Sequence, residues 1–506
     1  KKLINLLRGW PSPQLHPAAQ LQAAACRALS DPSIAVPALQ YAPDPGYQPL
    51  REELARWLSM HYNHYPGPPI DADQIAITGG ASQGLACVLQ SFTDPGYTRA
   101  VWVNAPCYHL VCPIFEDAGF ARRLRAVPED EAGIDVAWLE RALREEEGEK
   151  KTKKGGESPA PHRKLYRHVI YLVATCANPS GKTLPLAPRE ALVRMAREHN
   201  ALIISDDVYD FLQWPVVTTT AITITTTTPS IPPACLPHTS PVPDLLPLLS
   251  QLDLALGPSP HDPPGGKKHF SHAISNGSFS KLVGPGVRTG WIHGTADFAH
   301  GFSQTGSNRS GGAASQFAAV CMHQMLAVGD LQRHLELVVR PALRRRHALM
   351  VTEVRHVLGG LGVDVWAANT SCGSSRSRLG AGGAEGEGER KGERERREDG
   401  VDGVDVFGGY FVWLTLPEQL DAAAVAERAR EEENLIVAPG SIFEVKGDEE
   451  AARFPRNIRL CFSWEDEKDI LEGVARLGRV VKRMLEGASF QPCRKAAVEG
   501  SIGEFK

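Results

Sequence analysis

Hydrophobic positions along the chain follow two periods, and the change from one to the other marks its elements. Leu50, Leu54, Trp57 and Leu58 fall at i, i+4, i+7 and i+8, which predicts an amphipathic helix. By contrast, Ile75–Thr78, Val101–Val103, Val169–Val173 and Leu202–Ser205 are unbroken apolar runs, the pattern of strands buried on both faces. A helix starting near Pro188, apolar at Leu192, Met195 and Ala196, separates the last two. Strand, helix, strand is the βαβ unit of a parallel sheet. Two more extended runs, Ala273–Ser275 and Gly290–Ile292, flank a polar stretch. Farther on, Phe411–Leu414, Leu435–Val437 and Asn457–Phe462 read as strands of a smaller domain closed by a helix around Leu471–Val481. Residues 1–40 predict an irregular lead-in, with Gly9 and Pro11 in a loop and a short helix at Leu21–Leu29. Pro341 is expected to break or kink a long helix between Leu331 and Val351.

Three segments interrupt this pattern. Residues 145–164 are rich in Glu, Lys and Gly, residues 215–268 in Thr and Pro, and residues 371–405 in Ser, Gly, Glu and Arg. All three predict surface excursions, and Val216–Thr228 is β-prone enough to be an aggregation hazard. The expected organisation is an arm with part of the small domain at 1–42, a large domain at 43–305, a small domain at 306–488 and a tail at 489–506.

Bulk properties narrow the function classes. At 506 residues, 42% hydrophobic and 23% charged, the chain can bury two globular cores. A net charge of -4 gives no electrostatic case for nucleic acid or an anionic membrane. The 10 cysteines include no CxxC pair, so neither a metal site nor a disulfide framework is expected. No apolar run reaches membrane-spanning length. A cytoplasmic location is the expectation; the chain opens on Lys1 rather than Met, which keeps a mitochondrial one open.

Chemistry concentrates in Ser278-Phe279-Ser280-Lys281, with Arg288 close behind. One lysine among hydroxyls near an arginine suits an amine that carries a carbonyl cofactor, since desolvation and positive charge free its lone pair. A plain surface loop accounts for this stretch equally well. Gly79–Gly84 opens a helix after the strand Ile75–Thr78, and the free N–H groups there can seat a phosphate. Tyr108, Asn178, Asp206 and Tyr209 all follow the carboxyl ends of predicted strands, where open α/β sheets bind ligands.

Taken in order, these motifs resemble the class I/II aminotransferases, the fold type I enzymes that use pyridoxal 5'-phosphate; the likeness runs from about Ile4 to about Leu485 and skips the three insertions. The resemblance implies an α/β fold, a large domain with a mostly parallel seven-stranded sheet flanked by helices and a smaller α+β domain. It implies that Lys281 holds the cofactor covalently and shuttles the proton, and that Asp206 pairs with the pyridinium nitrogen. Tyr209 and Asn178 resemble the pair that bonds the cofactor's 3'-oxygen, and Tyr108 the aromatic stacked on its ring. Ala81, Ser82, Ser278 and Arg288 match the phosphate cradle, and Tyr41 the tyrosine that reaches the neighbouring subunit's phosphate, which implies a homodimer. Arg459 is similar to the clamp on the substrate α-carboxylate, with Asn178 and Gly9 beside the substrate. Arg8 is the one candidate cation for a side-chain carboxylate.

The phrasing of Arg8–Pro13 and Asp44–Gly46 is closest to the 2-aminoadipate, aromatic and branched-chain branch, implying an amino acid and a 2-oxo acid as substrates and no metal. A carbon–sulfur lyase or cyclopropane-forming synthase is the rival within this fold. A cofactor-sensing regulator ranks last, because little sequence precedes Ile4 to hold a DNA-binding helix. The Thr/Pro insertion between Tyr209 and Ser278, and Pro341, depart from the family pattern.

Overall fold

A computed structural model describes residues 1–62, 69–148, 160–216, 245–263, 268–312, 314–366 and 406–487. The six extended runs and a seventh strand that the pattern did not mark, Leu124–Pro128 at the sheet's edge, form one seven-stranded sheet: β1 Ile75–Thr78, β2 Ala100–Ala105, β3 Leu124–Pro128, β4 His168–Leu172, β5 Ala201–Asp206, β6 Ala273–Ser278 and β7 Gly290–His293. The strand order is β1-β7-β6-β5-β4-β2-β3. Pairing is parallel from β3 through β6, whereas β7 runs antiparallel to both of its neighbours. Alternate residues of each strand feed different layers. Val101, Val103, Val169, Tyr171, Leu202 and Ile204 pack with Leu85, Val88 and Phe92 of the helix Ala81–Phe92. Trp102, Ile170, Leu172 and Ile203 face Leu139, Leu143, Leu192 and Ala196 on the other side. Helices on both faces explain why these strands lack the apolar–polar alternation of a half-exposed sheet.

The second sheet holds β8 Asp364–Trp366, β9 Phe411–Thr415, β10 Ala438–Pro439 and β11 Asn457–Cys461 in the antiparallel order β8-β9-β11-β10. The helix Glu467–Leu485 follows β11. A two-stranded ladder pairs Gln213–Pro215 with Val406–Gly408 and ties the segment after Tyr209 to the second sheet.

The structure differs from the sequence expectations at several points. The lead-in contains a strand, Ile4–Asn5, parallel to Leu435–Ile436. So short a strand leaves no period to read. Val437 extends neither neighbouring ladder, and the chain re-enters a sheet only at Ala438. The region expected as one Thr/Pro excursion over 215–268 is not uniform: Leu249–Ala255 is a helix with Leu249, Ser250, Leu252 and Asp253 buried. Its Leu249 and Leu252 join the layer of Leu192 and Ala196, burial that outweighs the local composition. The helix Val136–Gly148 likewise enters the first expected insertion, and Lys164 at its far end is buried. Pro341 ends nothing. Helical backbone continues from Asp330 to Leu358, with a π-turn over Leu335–Val339 placing Pro341 in the first turn of the next α segment. There the missing N–H needs no partner. Most of Val216–Thr228, residues 371–405 and the tail lie outside the described residues. Among the described residues no helix is long and apolar enough to cross a membrane, and no His, Cys, Asp and Glu group is placed to hold a metal.

Candidate active site

Lys281 follows β6 by three residues, in a turn that opens at the strand's carboxyl end. The residue is half-buried, and burial around its amine lowers its pKa to about 8. Nζ donates to the Gly9 carbonyl at 2.8 Å and lies 5.4 Å from the centre of the Tyr410 ring, whose hydroxyl donates to the Lys281 carbonyl at 3.1 Å.

Asp206 is the last residue of β5, two strand positions beyond the register partner of Tyr171. Burial pushes its carboxyl up to about 6, against the Tyr171 hydroxyl that donates to Oδ2 at 2.8 Å and the nearby Lys281 charge. Oδ1 is buried with no partner. A buried carboxylate oxygen without a donor is costly, and a protonated ring nitrogen would supply one. The donor set therefore fits the cofactor that the resemblance implies.

Tyr209 is buried against Tyr410 at 5.5 Å and Phe411 at 6.1 Å, and burial drives its phenol well above the usual value. Asn178, in the turn after β4, accepts from Arg459 Nη1 at 2.7 Å. Arg459 leaves the middle of β11 with its guanidinium 4.0 Å from the Phe411 ring and 4.7 Å from that of Phe443. Nη2 donates to the Leu7 carbonyl, and Nε is buried with no partner. Burial lowers its pKa to about 10, which leaves it fully charged at neutral pH. Tyr108 is half-buried, and burial and then the charge of Asp206 raise its pKa to about 12.

The third cluster surrounds Gly80, whose φ of +98° begins the helix Ala81–Phe92 with no side chain capping its first turn. A Cβ there would stand 2.6 Å from Arg288 Nη2, so the close approach of arginine and backbone requires glycine. Arg288 itself is left-handed at φ 46° and donates to the carbonyls of Gly79 at 2.6 Å and Pro285 at 3.0 Å. Ser278 Oγ accepts from the Ser280 amide at 3.1 Å and donates to Ser280 Oγ at 2.9 Å. The uncapped start of the helix Ala81–Phe92, the Ser278 and Ser280 hydroxyls and the Arg288 guanidinium, 3.5 Å from Ser280 Oγ, are groups of the kind that hold an anion.

Lys281 reaches the Gly9 carbonyl, Arg459 reaches Asn178 and Leu7, and Arg288 reaches Gly79 and Ser280, whereas Ser82 is exposed and Tyr41 stands apart. That ring is 83% exposed and lies against Gly311. Arg8 and Gly9 enter through the arm, and a Cβ on Gly9 would meet the Phe411 ring at 2.7 Å. Sequence reasoning missed Tyr171, Tyr410, Phe411, Phe443 and His109. Tyr171 carried a signal, a lone hydroxyl inside an aliphatic strand. His109, T-shaped on Phe443 at 5.8 Å, is held near pKa 4 by burial and by Arg459, and nothing local in the sequence marks it. A separate cavity of about 330 Å³ opens between the sheets, lined by Pro106, Glu129, Lys182, Trp413 and Phe454; neither Lys281 nor Asp206 nor Arg459 borders it.

The sequence profile described as aminotransferase class I and II matches residues 14–371. An uncharacterized protein of Saccharomyces cerevisiae is 30% identical, over 95% of this chain and 97% of its own. The 2-aminoadipate transaminase of Thermus thermophilus is 26% identical, over 96% of this chain and 91% of its own. The solved structure of LysN, the α-aminoadipate aminotransferase of that organism complexed with N-(5'-phosphopyridoxyl)-L-leucine, aligns with a TM-score of 0.64 at 24% identity and covers 96% of this chain and 93% of its own.

Proposed function

The chain belongs to the aminotransferase class I and II family and is a pyridoxal-phosphate-dependent transaminase; from that premise we propose that it moves an amino group between an α-amino acid of the 2-aminoadipate, aromatic or branched-chain type and a 2-oxo acid, with 2-oxoglutarate as acceptor. The supporting observation is the meeting of an unpartnered Asp206 Oδ1, an enclosed Lys281 amine and an Arg459 guanidinium with a free Nε at one end of the large sheet. When bound, the cofactor supplies an electron sink for the negative charge left on the donor's Cα.

The protein's own groups do the rest. Asp206 would accept from the protonated ring nitrogen, and Tyr171 holds Asp206 in place. Lys281, near pKa 8, is neutral often enough at physiological pH to take the Cα proton at Nζ and return it in the second half-reaction. Arg459 grips the α-carboxylate, oriented by Asn178 and by the two phenylalanine rings. Tyr209 and Asn178 would bond the cofactor's 3'-oxygen, Tyr108 would lie against its ring, and Ala81, Ser82, Ser278 and Arg288 would hold its phosphate. The exposed Tyr41 completes the site of a second copy, so the assembly is a homodimer. The division at about 42, 305 and 488 belongs to the same reading, with Lys281 on the large domain and Arg459 on the small.

A screen of amino donors with 2-oxoglutarate as acceptor tests this reading. Oxo-acid and glutamate formation in equal amounts is the expected result. Pyruvate and ammonia released without consumption of the acceptor would identify a lyase instead.

A further inference from the structure

We propose that Asp207 and Asp210 form a buried pair that shares one proton and positions the two turns carrying Asp206, Tyr209 and Asn178 against the cofactor. The inference rests on the transaminase reading above and adds two positioning residues to that site. Successive residues of a strand point to opposite faces. Asp206, at the end of β5, meets the Tyr171 hydroxyl on one face, whereas Asp207, just beyond it, accepts from Ser205 Oγ on the other. The helix Leu186–Glu198 covers that second face with Leu192 and Ala196 and carries Arg189. In the turn that follows β5, Tyr209 packs on Tyr410 and Phe411, while Asp210 accepts from the Tyr62 hydroxyl at 2.7 Å.

Arg189 joins this turn to the one after β4. Its Nε donates to the Leu184 carbonyl at 2.7 Å and its Nη1 to that of Pro247 at 2.9 Å. Nη2 donates to the Ala174 carbonyl at 3.1 Å and to Thr175 Oγ1 at 2.8 Å, and Thr175 in turn bonds Asp210. Thr175 stands three residues before Asn178, so one arginine braces the turns behind all three residues. The charges balance only with a proton. Asp207 is 5% exposed and Asp210 2%, and both lie in the field of the single Arg189 guanidinium. Tyr62 and Cys176, the other titratable groups around them, are held neutral by burial. Asp207 Oδ2 and Asp210 Oδ1 are buried without a partner, and burial, then the charge of Asp210, pushes Asp207 well above the usual carboxylate range. Two ionised carboxyls would leave two bare oxygens and an uncompensated charge. One proton held between them supplies the missing donor and removes that charge, so neither turn is pushed off its seat.

Infrared difference spectra of the apoprotein at pH 8, wild type minus Asp207→Asn, test the proton directly. Asp206, near pKa 6, is ionised there, so a protonated-carboxyl band present in wild type and absent from the variant is expected. Titration of the apoprotein with pyridoxal phosphate tests the positioning. Asp207→Asn, whose amide can donate where the proton did, is expected to keep the affinity within about threefold. Asp207→Ala leaves Asp210 without that donor and is expected to weaken binding about ten- to a hundredfold. Inorganic phosphate, whose expected seat lies around Arg288, should still compete with an inhibition constant within about twofold of wild type in both variants. A purely structural role would lower the melting temperature of both variants and leave the affinity of the folded protein unchanged. That outcome, or a missing band, would overturn the pair. A wild-type protein that shows the band but takes up no pyridoxal phosphate would keep the shared proton and defeat the transaminase reading; uptake without the band would do the reverse.

Discussion

The two ends of the same strands each bury a lysine, and the pair separates a working group from a structural one. At the carboxyl ends of β5 and β6, Lys281 has a pKa lowered to about 8 by burial. At the amino ends, Lys164 is also lowered to about 8 by burial. Lys164 meets His272 Nε2 at 2.8 Å and Asp262 at 3.7 Å, while His272 donates from Nδ1 to the Ala201 carbonyl at 2.8 Å, which fixes Nε2 as the acceptor. Asp262 accepts from the amides of Ser259 and Phe270, and Asp253 from those of His272 and Ala273. Every polar atom of that cluster is used. Around Lys281, by contrast, Asp206 Oδ1, Arg459 Nε and His109 Nδ1 are buried and unpaired. A depressed lysine pKa therefore reports dehydration alone, and unspent hydrogen-bonding capacity around the amine is what marks a site built for a guest.

Five experiments press on this contrast. The largest effect is expected from Lys281→Ala, which should cost about four orders of magnitude or more in turnover by removing covalent attachment and proton transfer together. Lys164→Met should stay within about twofold of wild type, since a group at the far end of the strands enters no transition-state contact. Borohydride reduction of the holoenzyme should fix the cofactor on Lys281; label on Lys164 would collapse the distinction. Next, Asp206→Asn should lose about a hundred- to a thousandfold in kcat while keeping its fold, because the ring nitrogen loses its charged partner. Near-normal turnover would make the carboxylate structural.

The third experiment follows the pH dependence of cofactor uptake by the apoprotein. Only neutral Lys281 attacks a carbonyl, so with its pKa near 8 the initial rate should rise about tenfold per pH unit below 8 and level off above it. A rate that is flat from pH 6 to 8 would contradict the depressed value. The fourth reads stability. The unfolded chain binds the Lys164 proton with an ordinary pKa of 10.5 and the folded chain with one of about 8, so burial of the charge weakens the fold below pH 8 and the loss is relieved as pH rises toward 10.5. Denaturant titrations should show a gain approaching about 1.4 kcal/mol per pH unit in that window, and Lys164→Met should abolish the Lys164 share of it. An unchanged slope would mean that Lys164 is hydrated. Smallest of all, excising residues 218–244 should leave cofactor affinity and melting temperature almost unchanged, whereas carrying the cut on through Leu249–Ala255 should destabilise the fold by about 3 kcal/mol or more through loss of Leu249 and Leu252. Equal effects of the two cuts would remove the core role of that helix.

Local sequence marked six of the seven strands of the large sheet and the residues at their ends; the edge strand Leu124–Pro128, with Arg125 inside it, carries no continuous apolar run. Continuous apolar runs demand burial on both faces, Gly80 demands its turn, and Lys281, Asp206 and Asn178 each sit within a few residues of a strand end that the pattern already marked. Tertiary structure decided what depends on partners distant in the chain. Leu7 and Arg459 are 452 residues apart, Gly9 and Lys281 are 272 apart, and no periodicity in either segment encodes the pairing. The helix Leu249–Ala255 forms in a composition that argues for a loop because Leu192 and Ala196 offer it an apolar face. Arg8 reads as one more surface arginine until the fold brings Trp464 beside Trp10. Short-range propensity acts over a few residues, whereas burial and pairing are properties of surfaces that only the folded chain assembles.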